Sequence, residues 1–468
     1  MAKFNLGVHG SHNASIAISY GGDILEVVEL ERWVQIKNAA FFYYFPIENP
    51  LEILSEILSY FEFKYNAKEY DFAMVNSWPQ EHNSHLKATN VVYVPHHLAH
   101  ACNVMYQSDA KKSLIVSFDG GSDDGHFNIY LGDKPNTPVL IHQSQKDLCV
   151  PYAALGHYMN DIKKEPDIFK GNLTNAGKAM GLSSYGKRDD VLFDYVNKLY
   201  DKSDTNSVNK AHENWSEIFC GCNQTGDKAK DLAYANQYVF EKNFADIALP
   251  FIFKNLDREL QFAGGGAMNI LNNTTYEAFV SPNADDRGIA LGCLLSLLKP
   301  EQTVDITYLG SDPYDDIPDK KEISVLEVAN ILSEGSILGL IQGRGEHGAR
   351  SLGNRSILCL PQEGVKEKLN SEVKNREWFR PFAAVCREED AHKYFKDYGK
   401  HRWMTHNVKV LDNKLPGITH IDGTCRLQTV TKEQNSFLWN ILGIHPVILN
   451  TSFNIQGKPI LNTYREAL

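Results

Sequence analysis

Two stretches of this chain repeat one design: an apolar strand, a turn of glycine and small polar residues, and a second strand. The first is Leu6-Gly7-Val8-His9-Gly10-Ser11-His12-Asn13-Ala14-Ser15-Ile16-Ala17-Ile18, continuing past Gly21-Gly22-Asp23 to Glu26-Val27-Val28-Glu29. The second is Leu114-Ile115-Val116-Ser117-Phe118-Asp119-Gly120-Gly121-Ser122-Asp123-Asp124-Gly125-His126-Phe127-Asn128-Ile129-Tyr130. Apolar runs on either side of a glycine turn read as hairpins. An internal copy limits the choice of fold more than any single motif does, because two like hairpins about a hundred residues apart imply two structurally similar units. The alternative is two unrelated hairpins.

Between the copies stands His96-His97-Leu98-Ala99-His100. Histidines four apart project from one helix face, so His96 and His100 can close on a single metal ion. Asp119, at the end of an apolar strand and the start of the Gly120-Gly121 turn, offers a third, oxygen ligand where a phosphate can also be held. The competing reading is a core-facing helix whose histidines are simply hydrogen-bonded. Further on, Asp285-Asp286-Arg287-Gly288 precedes an apolar helix from Ile289 to Leu298. A carboxylate there is ordinarily a cap, and here it can equally complete the metal set.

With 468 residues, the chain exceeds the length over which one core keeps growing, and two or three domains are expected. Hydrophobic residues make up 43% and charged residues 22%, ordinary for a globular protein. No apolar run approaches the roughly 20 residues that span a bilayer. The start, Met1 to Leu6, runs into strand pattern without the order of a secretory leader, so a cytoplasmic protein with reduced thiols is expected. Cys220-Gly221-Cys222 is too tight for a zinc knuckle. Charge is divided unevenly: residues 322–468 carry 19 Lys and Arg against 16 Asp and Glu, and the preceding part 28 against 42. An acidic first part argues against a nonspecific nucleic-acid surface, and a basic second part suits polyphosphates.

Helical periodicity runs from Pro50 to Phe63, and a short strand from Tyr70 to Val75. Asn175-Ala176-Gly177-Lys178-Ala179-Met180-Gly181-Leu182 with Tyr185-Gly186-Lys187 is a lysine-and-glycine segment that either faces an anion or is an ordinary loop. Asp201 to Asp231 reads as a surface insertion. At Gln261 to Asn269 a strand runs into Gly264-Gly265-Gly266, which open a helix where backbone N–H groups meet a nucleotide beside Asn269. A boundary lies near Leu309 to Lys321, where Gly310, Pro313, Pro318 and aspartates break the pattern. Beyond it, the run from Gly343 to Ser356 puts Arg344, Arg350 and Arg355 in a glycine-rich turn, and Lys374-Asn375-Arg376-Glu377-Trp378-Phe379-Arg380-Pro381-Phe382 adds cations among aromatic residues. Guanidinium forks bind phosphate and carboxylate oxygens bidentately. A merely solvated basic face fits poorly with so many interleaved rings.

Taken in order, His12-Asn13-Ala14-Ser15, the His96–Ala101 run, Asp119-Gly120-Gly121, the Gly264 triplet with Asn269, the Gly343–Ile357 run, Lys374 to Ala383, Asp422-Gly423-Thr424-Cys425-Arg426-Leu427-Gln428 and Leu449-Asn450-Thr451-Ser452-Phe453-Asn454 resemble the bacterial O-carbamoyltransferases, which include tobramycin, cephem and nodulation-factor enzymes. The resemblance covers nearly the whole chain. It implies an α/β protein of two domains, each folding around its own core: an actin-like, metal-binding carbamoyl-transfer domain over residues 1–312, and a YrdC-like domain over residues 322–468 that makes carbamoyl adenylate. It implies His96, His100, Asp119 and Asp286 as ligands of iron(II) or another divalent transition metal, with His12 at the transferring carbonyl. It further implies that Arg350, Lys374, Arg380, Arg426 and Ser452 hold carbamoyl phosphate, ATP with its magnesium, and the adenylate. The chain departs from the family where Gly-Pro-Arg-Ala-Leu-Gly is usual, having Gly348-Ala349-Arg350-Ser351-Leu352-Gly353. It also has Leu173-Thr174-Asn175-Ala176-Gly177 in place of a Glu-rich loop.

The expected reaction is activation of carbamoyl phosphate as the adenylate, then transfer to an acceptor hydroxyl, with His12 as general base or hydrogen-bond donor. The acceptor expected from the family is a small molecule or sugar. The hydroxymethyl group of a modified pyrimidine, free or in DNA as 5-hydroxymethylcytosine, is the alternative. A sugar kinase of actin-like fold, which would release ADP rather than AMP, and a non-catalytic nucleotide-binding partner are the competing classes. No membrane partner is expected, and an oligomer is compatible with the sequence.

Overall fold

A computed structural model describes residues 2–122, 124–163, 165, 168–202, 223–313, 322–396, 398–399, 401–411 and 414–468. The first hairpin extends into a complete sheet. Strand Phe4–His9 (β1) pairs antiparallel with Ser15–Tyr20 (β2), which pairs antiparallel with Asp23–Glu29 (β3). On its other side β1 runs parallel to Tyr70–Asn76 (β4), and β4 parallel to Ala88–Tyr93 (β5). The second hairpin does the same. Lys112–Ser122 (β6), Gly125–Asp133 (β7) and Val139–Ser144 (β8) form an antiparallel meander. Glu259–Ala263 (β9) then lies parallel to β6, and Phe279–Val280 (β10) parallel to β9. The orders β3-β2-β1-β4-β5 and β8-β7-β6-β9-β10 are one topology written twice.

Each copy ends in a helix, His96–Gln107 after β5 and Ile289–Leu298 after β10. These two helices pack on each other so closely that glycine is required at the contact: a Cβ on Gly292 would lie 2.0 Å from the Ala99 carbonyl oxygen. Between the sheets they bury Ala101, Val104 and Met105 from one helix and Ala290, Leu291 and Leu294 from the other, against Ala17 and Ile115. A fully buried aliphatic side chain stabilises by ~1.5–3 kcal/mol, so this seam fixes the two copies relative to each other. The expected helix runs Pro50–Tyr65, with proline in its first turn and Leu54, Ile57, Leu58 and Phe61 buried along one stripe. Between β8 and β9 are helices Ile168–Ser183, Asp190–Lys202 and Asp227–Ile252. Most of the surface insertion expected at residues 201–231, with Cys220 and Cys222, lies outside the described residues, as does Asp123.

A third, mixed sheet follows. It contains Leu338–Ile341 (β11), Arg355–Cys359 (β12), Ala383–Arg387 (β13), Phe395–Lys396 (β14), Asn407–Val410 (β15), Thr424–Val430 (β16) and Val447–Ser452 (β17), ordered β11-β12-β17-β13-β16-β15-β14. The expected boundary falls partly on residues 314–321, outside the described set. The third-sheet region buries cores of its own, one with Ala384, Leu427 and Leu449 and one with Leu332, Val385 and Ile448, and it also reaches into a neighbouring one. Phe379, from the third-sheet region, is buried in the core cluster that contains Leu114, Phe118 and Phe240 of the second sheet region. Polar bonds cross as well: Arg32 Nη2 donates to the Gly348 carbonyl at 2.7 Å, Gly348 N–H to Glu29 at 2.7 Å, and Arg344 to the Gly310 carbonyl at 2.9 Å. Among the described residues, no helix is long and apolar enough to cross a membrane.

Candidate active site: a histidine and aspartate cluster joined to a basic cluster

The repeated topology brings corresponding pieces of each copy to one place. The β1–β2 turn supplies His12 and the β6–β7 strand end supplies Asp119. The helix that closes the first copy supplies His96 and His100, and the turn before the helix that closes the second supplies Asp286. One donor atom each from His96, His100, Asp119 and Asp286 lies within 4.8 Å of the others. The Nε2 atoms of His96 and His100 are 3.1 Å apart, and His100 Nε2 is 3.2 Å from Asp119 and 3.4 Å from Asp286. His96 Nε2 is 3.9 Å from Asp119 and 3.7 Å from Asp286. Ligands at ~2.0–2.2 Å from a shared ion are spaced at about this interval, and two imidazoles with two carboxylates are a donor set that such ions accept. The donor set therefore fits a divalent transition metal. Among the described residues, the buried His100 Nδ1 has no hydrogen-bond partner.

Neighbouring residues carry out the ordinary tasks that would otherwise compete for these side chains. His97 is the hydrogen-bonded core histidine, with Nδ1 2.8 Å from Ser117 Oγ and Nε2 2.9 Å from the Gly125 carbonyl. Burial lowers its pKa to about 4. Asp285 is the cap, accepting from Arg287 N–H at 3.2 Å and pairing with the Arg287 guanidinium. Asp286 is thereby left to face His96, His100, His9 and His12, the last at 3.4 Å. Burial alone would lower the pKa of His100, but Asp119 and Asp286 outweigh it and raise it to about 10. Against the penalty of burial, His12, His96 and His100 hold the Asp286 carboxyl well below the usual range.

The glycine triplet does not present itself as a free phosphate cradle. Gly264 N–H donates to the Ala284 carbonyl at 2.9 Å, and Gly265 N–H to Asp119 at 2.5 Å. Gly120 N–H likewise donates to Asp119, at 2.6 Å. Gly120 and Gly265 thus seat the Asp119 carboxylate, and Gly265 also lines the cavity, as does Gly266. Gly121 sits at φ 129 in the irregular end of β6. Asn269 caps the helix Ile270–Tyr276 by accepting from Asn272 N–H at 3.1 Å, while its amide exchanges hydrogen bonds with Gln237.

A second cluster lies across the same space. Arg350, Lys374, Arg376, Arg380 and Arg426 share a cavity of about 440 Å³ with His12, Asp119, Asp286 and Ser452. Lys374 Nζ bonds the Ser452 carbonyl and Asn454 Oδ1, the latter at 2.8 Å. Burial, followed by repulsion from Arg376 and Arg380, pushes its pKa down to about 7. Burial and then Arg380 depress Arg350 to about 10, and burial with Arg350 and Arg380 depresses Arg426. Arg426 Nε is buried without an acceptor among the described residues. Glu377 stands 3.6 Å from Arg380 and 3.4 Å from Lys178, and Glu31, Glu165, Asp119, Asp285 and Asp286 line the same cavity. Cations still outnumber carboxylates along the lining, and the group of Arg350, Lys374, Arg376, Arg380 and Arg426 suits an anionic ligand.

The motif arginines divide in a way their spacing does not show. Arg344 donates to the Leu309 and Gly310 carbonyls, and the fully buried Arg355 donates to the carbonyls of Gln342, Gly343 and Asn462. Of the three, only Arg350 reaches the cavity. Sequence reasoning left out Arg376, Lys37, Lys178, Glu31 and Arg287, all of which line it. Arg376 was visible inside its motif, and Lys178 within the lysine-and-glycine segment.

Residues 85–295 match the family described as Carbamoyltransferase N-terminus, and residues 329–468 match Carbamoyltransferase C-terminus. The chain belongs to the carbamoyltransferase family. Within it, the nodulation protein NolNO of Sinorhizobium fredii is 29% identical, over 83% of this chain and 63% of that protein. The 3'-hydroxymethylcephem-O-carbamoyltransferase of Amycolatopsis lactamdurans is 28% identical, over 63% of this chain and 61% of the enzyme. Both are thus matched over less than two-thirds of their own length. A protein of Methanocaldococcus jannaschii is 28% identical over 99% of this chain and 95% of its own. Among solved structures, full-length HypF in a phosphate- and nucleotide-bound form has a TM-score of 0.39 at 13% identity, covering 64% of this chain and 46% of that one.

Proposed function

We propose that this carbamoyltransferase-family chain is an ATP-dependent O-carbamoyltransferase. In this reading residues 1–312 form an actin-like transfer region and residues 322–468 a YrdC-like, adenylate-forming region. The observation that supports it is that His12, Asp119 and Asp286 line the same cavity as Arg350, Lys374, Arg376, Arg380 and Arg426. A carbamoyl group is a poor electrophile, because its nitrogen donates into the carbonyl. Attaching it to AMP supplies a good leaving group, and carbamoyl phosphate, water and ATP then yield carbamoyl adenylate, phosphate and pyrophosphate. Arg350, Lys374, Arg380 and Arg426 hold the phosphate oxygens, each charged hydrogen bond contributing ~1.5–3 kcal/mol. Ser452, on β17, helps place Lys374 through its carbonyl.

In the second step the acceptor hydroxyl attacks the carbonyl carbon and AMP departs. His12 takes the hydroxyl proton, with Asp286 at 3.4 Å orienting its imidazole. A divalent transition metal held by His96, His100, Asp119 and Asp286, iron(II) by family resemblance, would supply Lewis acidity or a phosphate anchor there. A small-molecule or sugar hydroxyl is the proposed acceptor.

The test measures pyrophosphate release that depends on carbamoyl phosphate but not on acceptor, beside mass spectrometry of acceptors for one added carbamoyl group. Lys374→Ala is expected to lose both activities, and His12→Ala to lose transfer while retaining pyrophosphate release. ADP as the nucleotide product, or pyrophosphate release by folded Lys374→Ala at the wild-type rate, would overturn the assignment.

A further inference from the structure

The segment Ala40-Phe41-Phe42-Tyr43-Tyr44-Phe45-Pro46-Ile47 has no part in either cluster, yet it abuts both the cavity wall and solvent. Its backbone is pinned to the β1–β2 turn that carries His12, since the N–H groups of Phe41 and Phe42 donate to the Gly10 carbonyl at 3.0 and 3.2 Å. The segment also closes on itself, through Ala40 N–H to the Phe45 carbonyl at 3.1 Å and Ile47 N–H to the Ala40 carbonyl at 2.9 Å. Phe41 and Phe42 anchor it inward, each packed edge-on against Trp78, with ring centroids 5.9 and 4.9 Å apart.

Tyr43 and Tyr44 point the other way, 44% and 69% exposed. Tyr44 has φ 65, a left-handed conformation that is uncommon for a bulky side chain and costs free energy. The strained backbone sets its ring edge-on to the His12 imidazole, centroids 5.8 Å apart. His12 therefore has two neighbourhoods. It lines the cavity 3.4 Å from Asp286, and it also touches an exposed tyrosine ring that is not among the cavity's lining residues.

We infer that Tyr44, flanked by Tyr43, is the acceptor platform: a hydroxyl-bearing ring with a flat, apolar face stacks there and presents its hydroxyl beside His12, at the edge of the cavity that holds the activated donor. Pyranose rings and pyrimidines share that face, and an acyclic alcohol lacks it. This rests on the carbamoyltransfer reading and deepens it by naming the class of acceptor. Aromatic stacking contributes enough free energy for roughly a three- to tenfold change in affinity.

The experiment is an NMR titration of the full chain with three probes: methyl α-D-glucopyranoside, 5-hydroxymethylcytidine and glycerol. At least one ring probe should bind more tightly than glycerol, with saturation transfer from tyrosine ring protons to its ring face. Which ring binds separates a sugar acceptor from a pyrimidine one. Tyr44→Ala should weaken that binding roughly three- to tenfold, while Tyr44→Phe stays within twofold of wild type, thermal melting showing both variants folded. Neither ring probe binding better than glycerol would overturn the platform, as would wild-type ring binding by folded Tyr44→Ala. The broader reading fails separately, if the wild-type chain releases no pyrophosphate with ATP and carbamoyl phosphate.

Discussion

His97 and His100 are both buried, belong to one helix and lie three residues apart, but their rings meet different partners. His97 bonds Ser117 and the Gly125 carbonyl, whereas His100 faces Asp119 and Asp286. His100→Ala is therefore expected to lower bound transition metal from about one per chain to near zero by elemental analysis, removing one of the four donors expected at such a site. His97→Ala leaves all four donors in place and strands a buried hydroxyl and carbonyl, a cost of ~1–3 kcal/mol. It should lower the urea midpoint while the metal content stays near that of wild type. Equal metal loss in the two folded variants would remove the distinction drawn here between ligand and scaffold.

Among elements, the contact between helices His96–Gln107 and Ile289–Leu298 sets the distance from His96 and His100 to Asp286. Gly292→Ala gains up to ~1 kcal/mol of helix propensity. Its new Cβ, however, meets the Ala99 carbonyl oxygen at 2.0 Å, and such overpacking costs ~1–3 kcal/mol or more. The clash is the larger effect, so chemical denaturation should show net destabilisation, with weakened metal retention as the helices part. The same elements explain what the sequence could disclose. His96 and His100 were legible because one helical turn converts chain spacing directly into spatial proximity, and Asp119 because a strand end and glycine turn mark its place. The full five-strand repeat was not legible beyond its hairpins, since β4, β5, β9 and β10 pair across long separations in sequence. Nor were Arg344 and Arg355 distinguishable from Arg350. That division depends on Glu346, whose buried carboxylate accepts the N–H groups of Leu352, Asn354 and Arg355 at 2.7, 2.7 and 3.1 Å and so folds the loop.

At the scale of the whole molecule, two histidines join the third-sheet region to the first two sheets, and each does so as a neutral ring. His347 Nε2 lies 3.0 Å from the Arg287 carbonyl and its Nδ1 3.3 Å from the Asn283 amide nitrogen, which makes Nδ1 the acceptor. His406 Nε2 lies 2.9 Å from the Ala278 carbonyl. Burial lowers the pKa of His347 to about 3, and burial with repulsion from His401 lowers that of His406 to about 4. The unfolded chain takes up protons at both positions near pH ~6.5, while the folded chain refuses them until pH 3–4. Between those limits the unfolded state binds more protons, so unfolding free energy rises with pH and is lost as pH falls, by up to ~1.4 kcal/mol per pH unit per group. Because the two regions share core residues such as Phe379, the loss should appear as one cooperative transition whose Tm falls steadily from pH 7 to pH 4.5. Glutamine offers an acceptor and a donor without titrating, so His347→Gln with His406→Gln should flatten that slope. A slope in the double variant as steep as in wild type would place the acid sensitivity elsewhere, and two separated transitions would show that the regions melt independently despite the cavity they share.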